Sequence, residues 1–140
     1  MRVAVDANTV LSGLFFSGNE RRLLLAALRG AVGLVLAEDT LEEVYEVIGE
    51  TFRDHADLPG ALDLLDAIVG SVELVPRRAY AERVARWVPK LRDPSDAGLL
   101  ACAEAVHADG VVSGDRDVLE MKEPSGPVIY RTREVLNRLP

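Results

Sequence analysis

The stretch Met1-Arg-Val-Ala-Val-Asp6, running on into Ala7-Asn8-Thr9, decides the fold. Arg2–Val5 reads as a buried first strand. A carboxylate placed directly after Val-Ala-Val is a poor choice for a core-facing strand end unless something pairs with it. Outward from there, strand-like and helix-like segments alternate down the chain, the mark of an α/β domain with a mainly parallel sheet. Residues 19–29 space Leu23, Leu24, Ala27 and Leu28 as a helix does, and Gly30 is its natural stop. Residues 32–37 form a second strand. Asp39 or Thr40 then caps a helix to about Thr51, with Leu41, Val44, Val47 and Ile48 on one face, Glu42, Glu46 and Glu50 on another, and Glu43 near the edge. Pro59 opens a helix over 60–69 that stops at Gly70 before a short strand at 72–75, and a basic helix follows at 79–88. Asp93-Pro-Ser-Asp96 reads as a helix start, with Asp93 as cap and Asp96 where a capping-box acid sits, the helix continuing to about His107. Strands at 110–113 and 128–130 and a capped helix at 132–139 complete the chain.

With 140 residues, 49% of them hydrophobic, residues 1–140 are expected to form one domain with a real core, and two would be cramped. The longest apolar stretches, at 23–28 and 32–37, fall far short of the roughly 20 residues of a spanning helix. The first strand begins without the basic, apolar and small-residue succession of a secretion signal, so a cytoplasmic location is expected. Cys102 is the only cysteine, which excludes an internal disulfide, and its apolar surroundings place it in the core. The net charge of −7 argues against a protein that coats nucleic acid, but the charge is uneven. Residues 1–75 carry net −8 and residues 93–140 net −4, whereas residues 76–92 carry net +5 through Arg77, Arg78, Arg83, Arg86, Lys90 and Arg92. Such a run is either a solvated helix face or a local patch for a phosphate backbone.

In an open parallel sheet, ligands bind beyond the carboxyl ends of the strands. Asp6 follows the first strand and Asp115 follows Val111-Val-Ser-Gly114, so central, parallel strands would turn both into one crevice. Asp96 and Glu43, each early in a helix, reach the same end through right-handed crossovers. Simpler roles exist: Asp96 as an acid on a helix dipole, Asp115 and Asp117 as turn and cap residues, and Glu42 or Glu46 as the inward acid instead of Glu43. Four converging acids repel strongly unless a cation sits among them, and oxygen-only ligands suit Mg²⁺ or Mn²⁺. Zinc would recruit His or Cys, and His55 and His107 lie in a polar loop and at a helix end without spacing partners.

Asp6-Ala-Asn8, Leu41-Glu-Glu43-Val44, Asp93-Pro-Ser-Asp96-Ala-Gly-Leu-Leu-Ala101 and Val112-Ser-Gly-Asp115-Arg-Asp117 resemble, in order and spacing, the PIN-domain nucleases. Within that family the chain is most similar to the VapC-type toxins of prokaryotic toxin–antitoxin pairs. The resemblance implies a three-layer α/β/α sandwich around four to five mainly parallel strands. It assigns Asp6, Glu43, Asp96 and Asp115 as the acidic quartet, Asp117 as an additional metal-contacting acid, and Asn8 and Ser113 as supporting polar groups. Ala7 departs from the family's usual Thr, which loosens support for the ligands without removing one. Mg²⁺ or Mn²⁺ as cofactor, RNA as substrate, a protein antitoxin as partner and a homodimer are likewise implied.

The expected chemistry is in-line hydrolysis of RNA by a water activated at one or two divalent ions, giving a 5′-phosphate and a 3′-hydroxyl. The cations of residues 76–92, with Arg116, are candidates for guiding the RNA backbone. Three rivals stand against this reading. A phosphoacceptor receiver domain needs a lysine after a late strand, whereas Lys122 lies in a polar loop before Pro124. A haloacid-dehalogenase-type phosphatase needs Asp-x-Asp after the first strand, and position 8 is Asn. The third rival is a non-catalytic RNA- or protein-binding module on the same fold.

Overall fold

The computed structural model describes residues 1–121 and 123–140, and Lys122, on which the receiver-domain comparison turned, lies outside them. Its strands are β1 (Arg2–Val5), β2 (Gly33–Ala37), β3 (Glu73–Val75), β4 (Gly110–Val112) and β5 (Ile129–Tyr130), all parallel and ordered β3-β2-β1-β4-β5. The helices are α1 (Ala7–Phe15), α2 (Asn19–Leu28), α3 (Glu38–Thr51), α4 (Leu58–Val69), α5 (Ala81–Trp87), α6 (Ala97–Ala105), α7 (Arg116–Leu119) and α8 (Thr132–Arg138).

A strand buried on both faces has no polar side to alternate with, which is why Val3, Ala4 and Val5 are all apolar. Val3, Val5, Leu34, Leu36 and Val112 pack into one core with Val10, Leu24, Ile48, Leu65 and Val135, drawn from α1, α2, α3, α4 and α8. Ala4, Val35, Ala37 and Val111 face the opposite core, made with Trp87, Leu100 and Val118 from α5, α6 and α7. The result is the expected three-layer α/β/α sandwich. Each fully buried Leu or Val in it contributes about 1.5–3 kcal/mol by leaving water. Cys102 is in the second core, unpaired, where burial pushes its thiol up to about 12. No helix among the described residues is long and apolar enough to cross a membrane.

The largest departure from the sequence reading is α1, a helix over residues not read as one. Ala7, Thr9, Val10, Leu11, Gly13, Leu14 and Phe15 are all buried, so the helix shows no polar stripe to give it away. Gly13 is needed for its packing, since a Cβ there would come 2.5 Å from Leu24 Cδ1 on α2. The helix α3 begins at Glu38 after an Ala37 cap with no side-chain bond, so Asp39 and Thr40 lie within its first turn rather than capping it. The basic helix is shorter than expected: α5 lies between single 3₁₀ turns at Arg77–Ala79 and Val88–Lys90, the second containing Pro89, whose ring cannot continue the α-helix. Asp93 does cap, accepting from the Ser95 N–H at 3.0 Å, but it caps a 3₁₀ turn, Pro94–Asp96, from which α6 continues. That helix stops short of His107, whose φ of 53° is left-handed.

Candidate functional site

From β1 the chain moves outward to β2 and β3, then returns to lay β4 on the other side of β1. A crevice opens where the strand order reverses, beyond the carboxyl ends of β1 and β4. Val5 and Val112 are register partners, so Asp6 and the segment Ser113-Gly-Asp115 leave the sheet side by side. Asp6 is only 6% exposed and caps α1, with its Oδ1 accepting from the Thr9 N–H at 2.8 Å. Its Oδ2 accepts from the buried Ser113 hydroxyl at 2.6 Å, and Ser113 Oγ accepts in turn from the Asp115 N–H at 3.0 Å. Asp115 caps α7 by accepting from the Asp117 N–H at 2.8 Å. Asp6 and Asp115 are therefore tied together through one serine; Asp115 carries the cap role of its simpler reading, and Asp6 caps a helix that the sequence did not reveal.

Asp96 approaches the same crevice from the start of α6. Its Oδ2 is buried without a hydrogen-bond partner among the described residues. Burial first, then the charges of Asp115, Asp93, Asp6 and Glu43, push its carboxyl up to about 7 from an ordinary 3.8. Glu43 is raised as well, by burial and then by Asp6, Asp93 and Glu46. These mutual effects place Asp6, Glu43, Asp96 and Asp115 in one field. Asp93 belongs to it too, held below its usual range by the Ser95 hydrogen bonds, although its spacing had suggested only a cap. A cleft of about 370 Å³ adjoins the group, lined by Thr40, Glu43, Glu46, Ser95 and Gly98 among others. Among the described residues, no three His, Cys, Asp or Glu side chains are grouped closely enough to hold a metal ion. The acids sense one another at longer range than a coordination shell.

The neighbouring carboxylates separate by partner. Arg77 binds Glu38 at 3.2 Å, Asp39 at 2.5 Å and Glu42 at 2.7 Å, so Glu42 lines the cleft already paired with a cation, whereas Glu43 lines it without an ion pair among the described residues. Asp39 is fixed further by its N–H, which donates to the buried Tyr80 hydroxyl at 3.1 Å. Asp117 is half-buried, with Oδ1 3.6 Å from the exposed Arg92 Nε. Asn8 is exposed in the first turn of α1, and the supporting contact to Asp6 comes from Ser113. His55 packs edge-on to Phe15 and accepts from the Asp57 N–H at 3.1 Å, far in character from a ligand.

The basic segment is largely spent on the chain's own acids. Arg83 and Arg86 both pair with Glu104, Lys90 with Glu123, Arg92 with Asp117 and Arg77 with its three carboxylates, while Arg116 pairs with Glu120. Sequence shows these cations but not their partners, since Glu104 and Glu123 lie well beyond the segment.

A model of the PIN domain matches residues 2–117, from β1 through Asp117. No curated protein sequence matches significantly. Among solved structures, PAE2754 from Pyrobaculum aerophilum superposes with a TM-score of 0.71 at 17% identity, covering 99% of this chain and 88% of that one. A chain of VapBC2 from Rickettsia felis, solved bound to a DNA fragment from their promoter, gives 0.65 at 12% identity, covering 94% of this chain and 98% of that one. At such identities the likeness concerns the fold. The family match spans the central strand, the switch point and all five acids, and the chain belongs to the PIN domain family.

Proposed function

We propose that the protein is a metal-dependent endoribonuclease that hydrolyses RNA phosphodiester bonds as the toxin of a toxin–antitoxin pair. The observation that carries this reading is the buried Asp96 Oδ2, unpartnered among the described residues, on a carboxyl that burial first and then the surrounding acids push up to about 7. A carboxylate oxygen kept from water and from any hydrogen-bond donor is costly unless a cation completes it. The donors are all oxygen, which suits Mg²⁺ or Mn²⁺.

On this reading Asp6, Glu43, Asp96 and Asp115 hold the cation, and Asp117 adds a contact at the rim. The ion, when bound, supplies charge neutralisation for the scissile phosphate and activation of the attacking water. Ser113 fixes the rotamer of Asp6 and, through the Asp115 N–H, the approach of the second strand end. The Thr9 N–H holds the other Asp6 oxygen. A protein antitoxin, a homodimer and a cytoplasmic setting belong to the same proposal, supported by the fold shared with VapBC2 and the family as a whole.

The test is cleavage of labelled RNA by purified protein with Mn²⁺, with loss of activity in chelator and on Asp6→Asn. RNA left intact under all metal conditions would refute the nuclease. The second reading, a non-catalytic RNA- or protein-binding module, is favoured by the lack of a ready-grouped metal triad among the described residues. It predicts RNA or partner binding that neither Mn²⁺ nor Asp6→Asn alters.

A further inference from the structure

Within residues 76–92 every cation but the exposed Arg78 is held in an internal ion pair, and a larger group of unpaired arginines lies elsewhere. The helices α2 and α8 pack against each other, and two grooves follow their seam. The first, about 270 Å³, is lined by Asn19, Glu20, Ser113, Gly114, Arg131 and Arg133. It shares Ser113 with the carboxylate crevice, where that residue's hydroxyl donates to Asp6. The second, about 200 Å³, is lined by Arg22, Leu25, Arg29 and Leu136 among others. The N-terminal ends of both helices meet at the first groove and their C-terminal ends at the second, so the seam runs roughly 15 Å along the ten residues of α2.

Four arginines line it: Arg22, Arg29, Arg131 and Arg133, all exposed. None forms an ion pair among the described residues, in contrast to Arg77, Arg83, Arg86, Lys90, Arg92 and Arg116. Arg22 donates only to Asn19 Oδ1 at 3.3 Å. Against them stands Glu20. The seam thus carries net +3 on a chain of net −7.

We propose that this seam is the track along which a single-stranded RNA backbone leaves the carboxylate crevice. The proposal rests on the nuclease reading for its choice of ligand. Unpaired guanidinium groups beside a crevice built for a phosphodiester have the chemistry to bind successive phosphates. An acidic protein binds a polyanion through such a local strip rather than through its overall charge.

The test measures binding of a short fluorescent single-stranded RNA in Ca²⁺ across a salt series, for the wild type, for Arg131→Ala with Arg133→Ala, and for Arg83→Ala with Arg86→Ala. Each lost phosphate contact lowers the slope of log affinity against log salt by about 0.7, so the first pair reduces it by about 1.4 and weakens binding about 25-fold at about 0.1 M salt. The Arg83 and Arg86 pair leaves both unchanged. Unchanged affinity on loss of Arg131 and Arg133, or equal loss from the control pair, overturns the track. Hydrolysis of bis(p-nitrophenyl) phosphate by the wild type with Mn²⁺ reports separately on the carboxylates. A protein that binds RNA through Arg131 and Arg133 but hydrolyses nothing sinks the nuclease and leaves the track. One that hydrolyses but ignores those arginines sinks the track alone.

Discussion

Asp96→Asn should make the metal-free protein more stable, although it removes a residue assigned to the site. The Asp96 carboxyl is pushed from 3.8 to about 7, chiefly by burial and then by Asp115, Asp93, Asp6 and Glu43. Its native state therefore favours the protonated form, and the stability tied to that form is full below pH 3.8 and lost as pH rises through 7. Each unit of displacement is worth 1.36 kcal/mol, which sets a ceiling of about 4 kcal/mol for the ionised group at pH 8. Partial solvent access to the side chain brings the expected penalty to about 2 kcal/mol. Asparagine keeps the shape of the neutral acid and carries no charge, so in chelator at pH 8 the variant should melt higher by about 6 °C, taking roughly 3 °C per kcal/mol for a domain of this size. At pH 4 the two proteins should melt together.

Divalent cation should reverse the order. Mn²⁺ at 100 times its dissociation constant stabilises a binding-competent protein by about 2.7 kcal/mol, and the variant, missing one ligand, should gain less. The assay is thermal denaturation followed by circular dichroism from pH 4 to 8, with chelator and with Mn²⁺. Parallel pH profiles for the two proteins would show that Asp96 carries no such penalty. Equal stabilisation of both by Mn²⁺ would remove Asp96 from the metal site.

Two further substitutions probe the frame around the crevice. Ser113→Ala removes the donor to Asp6 Oδ2 and the acceptor of the Asp115 N–H, both buried or half-buried, and should cost about 1–3 kcal/mol in urea denaturation. The same variant should weaken Mn²⁺ binding by about 10–100-fold in calorimetry, and wild-type affinity would show that Ser113 does not orient the carboxylates. Gly110→Ala puts a Cβ 2.5 Å from Tyr130 Cε2 and 2.8 Å from the Val128 carbonyl, so β4 and β5 must separate, at about 1–3 kcal/mol or more. A neutral result there would mean that β5 yields freely.

The readability of this chain follows the physics of each signal. β1 and its terminal Asp6 were legible because an apolar run that ends in a carboxylate has few explanations. The same reasoning could not reveal α1, since a helix buried nearly all round loses the alternation of polar and apolar faces, and Gly13, Thr9 and Val10 are not strong helix formers. Nor could it choose among Glu42, Glu43 and Glu46. Arg77, 35 residues from Glu42 in sequence, pairs with it at 2.7 Å and so sets it apart from Glu43 and Glu46, which both line the cleft. The basic run at 76–92 is countable in the sequence, but whether it is a solvated face or a free patch is not, because counting charges does not count their partners. Asp93 was read as a cap and is one, yet its charge also acts on Asp96 and Glu43.

The arrangement of charge also sets an order of events. The crevice gathers four acids, counting Asp93, around the Asp96 carboxyl displaced to about 7, so on the proposed nuclease reading a phosphate arriving before any cation meets repulsion. The arginine seam begins one residue away, at Gly114, and lies open to solvent. If the proposed track and metal site hold, a polyanion settles along α2 and α8 while the crevice still excludes it and reaches the carboxylates once a divalent ion reverses the local field. On that reading, separating the holding surface from the reacting surface lets an acidic chain act on an acidic polymer, and the two surfaces share Ser113, which bonds Asp6 and lines the groove.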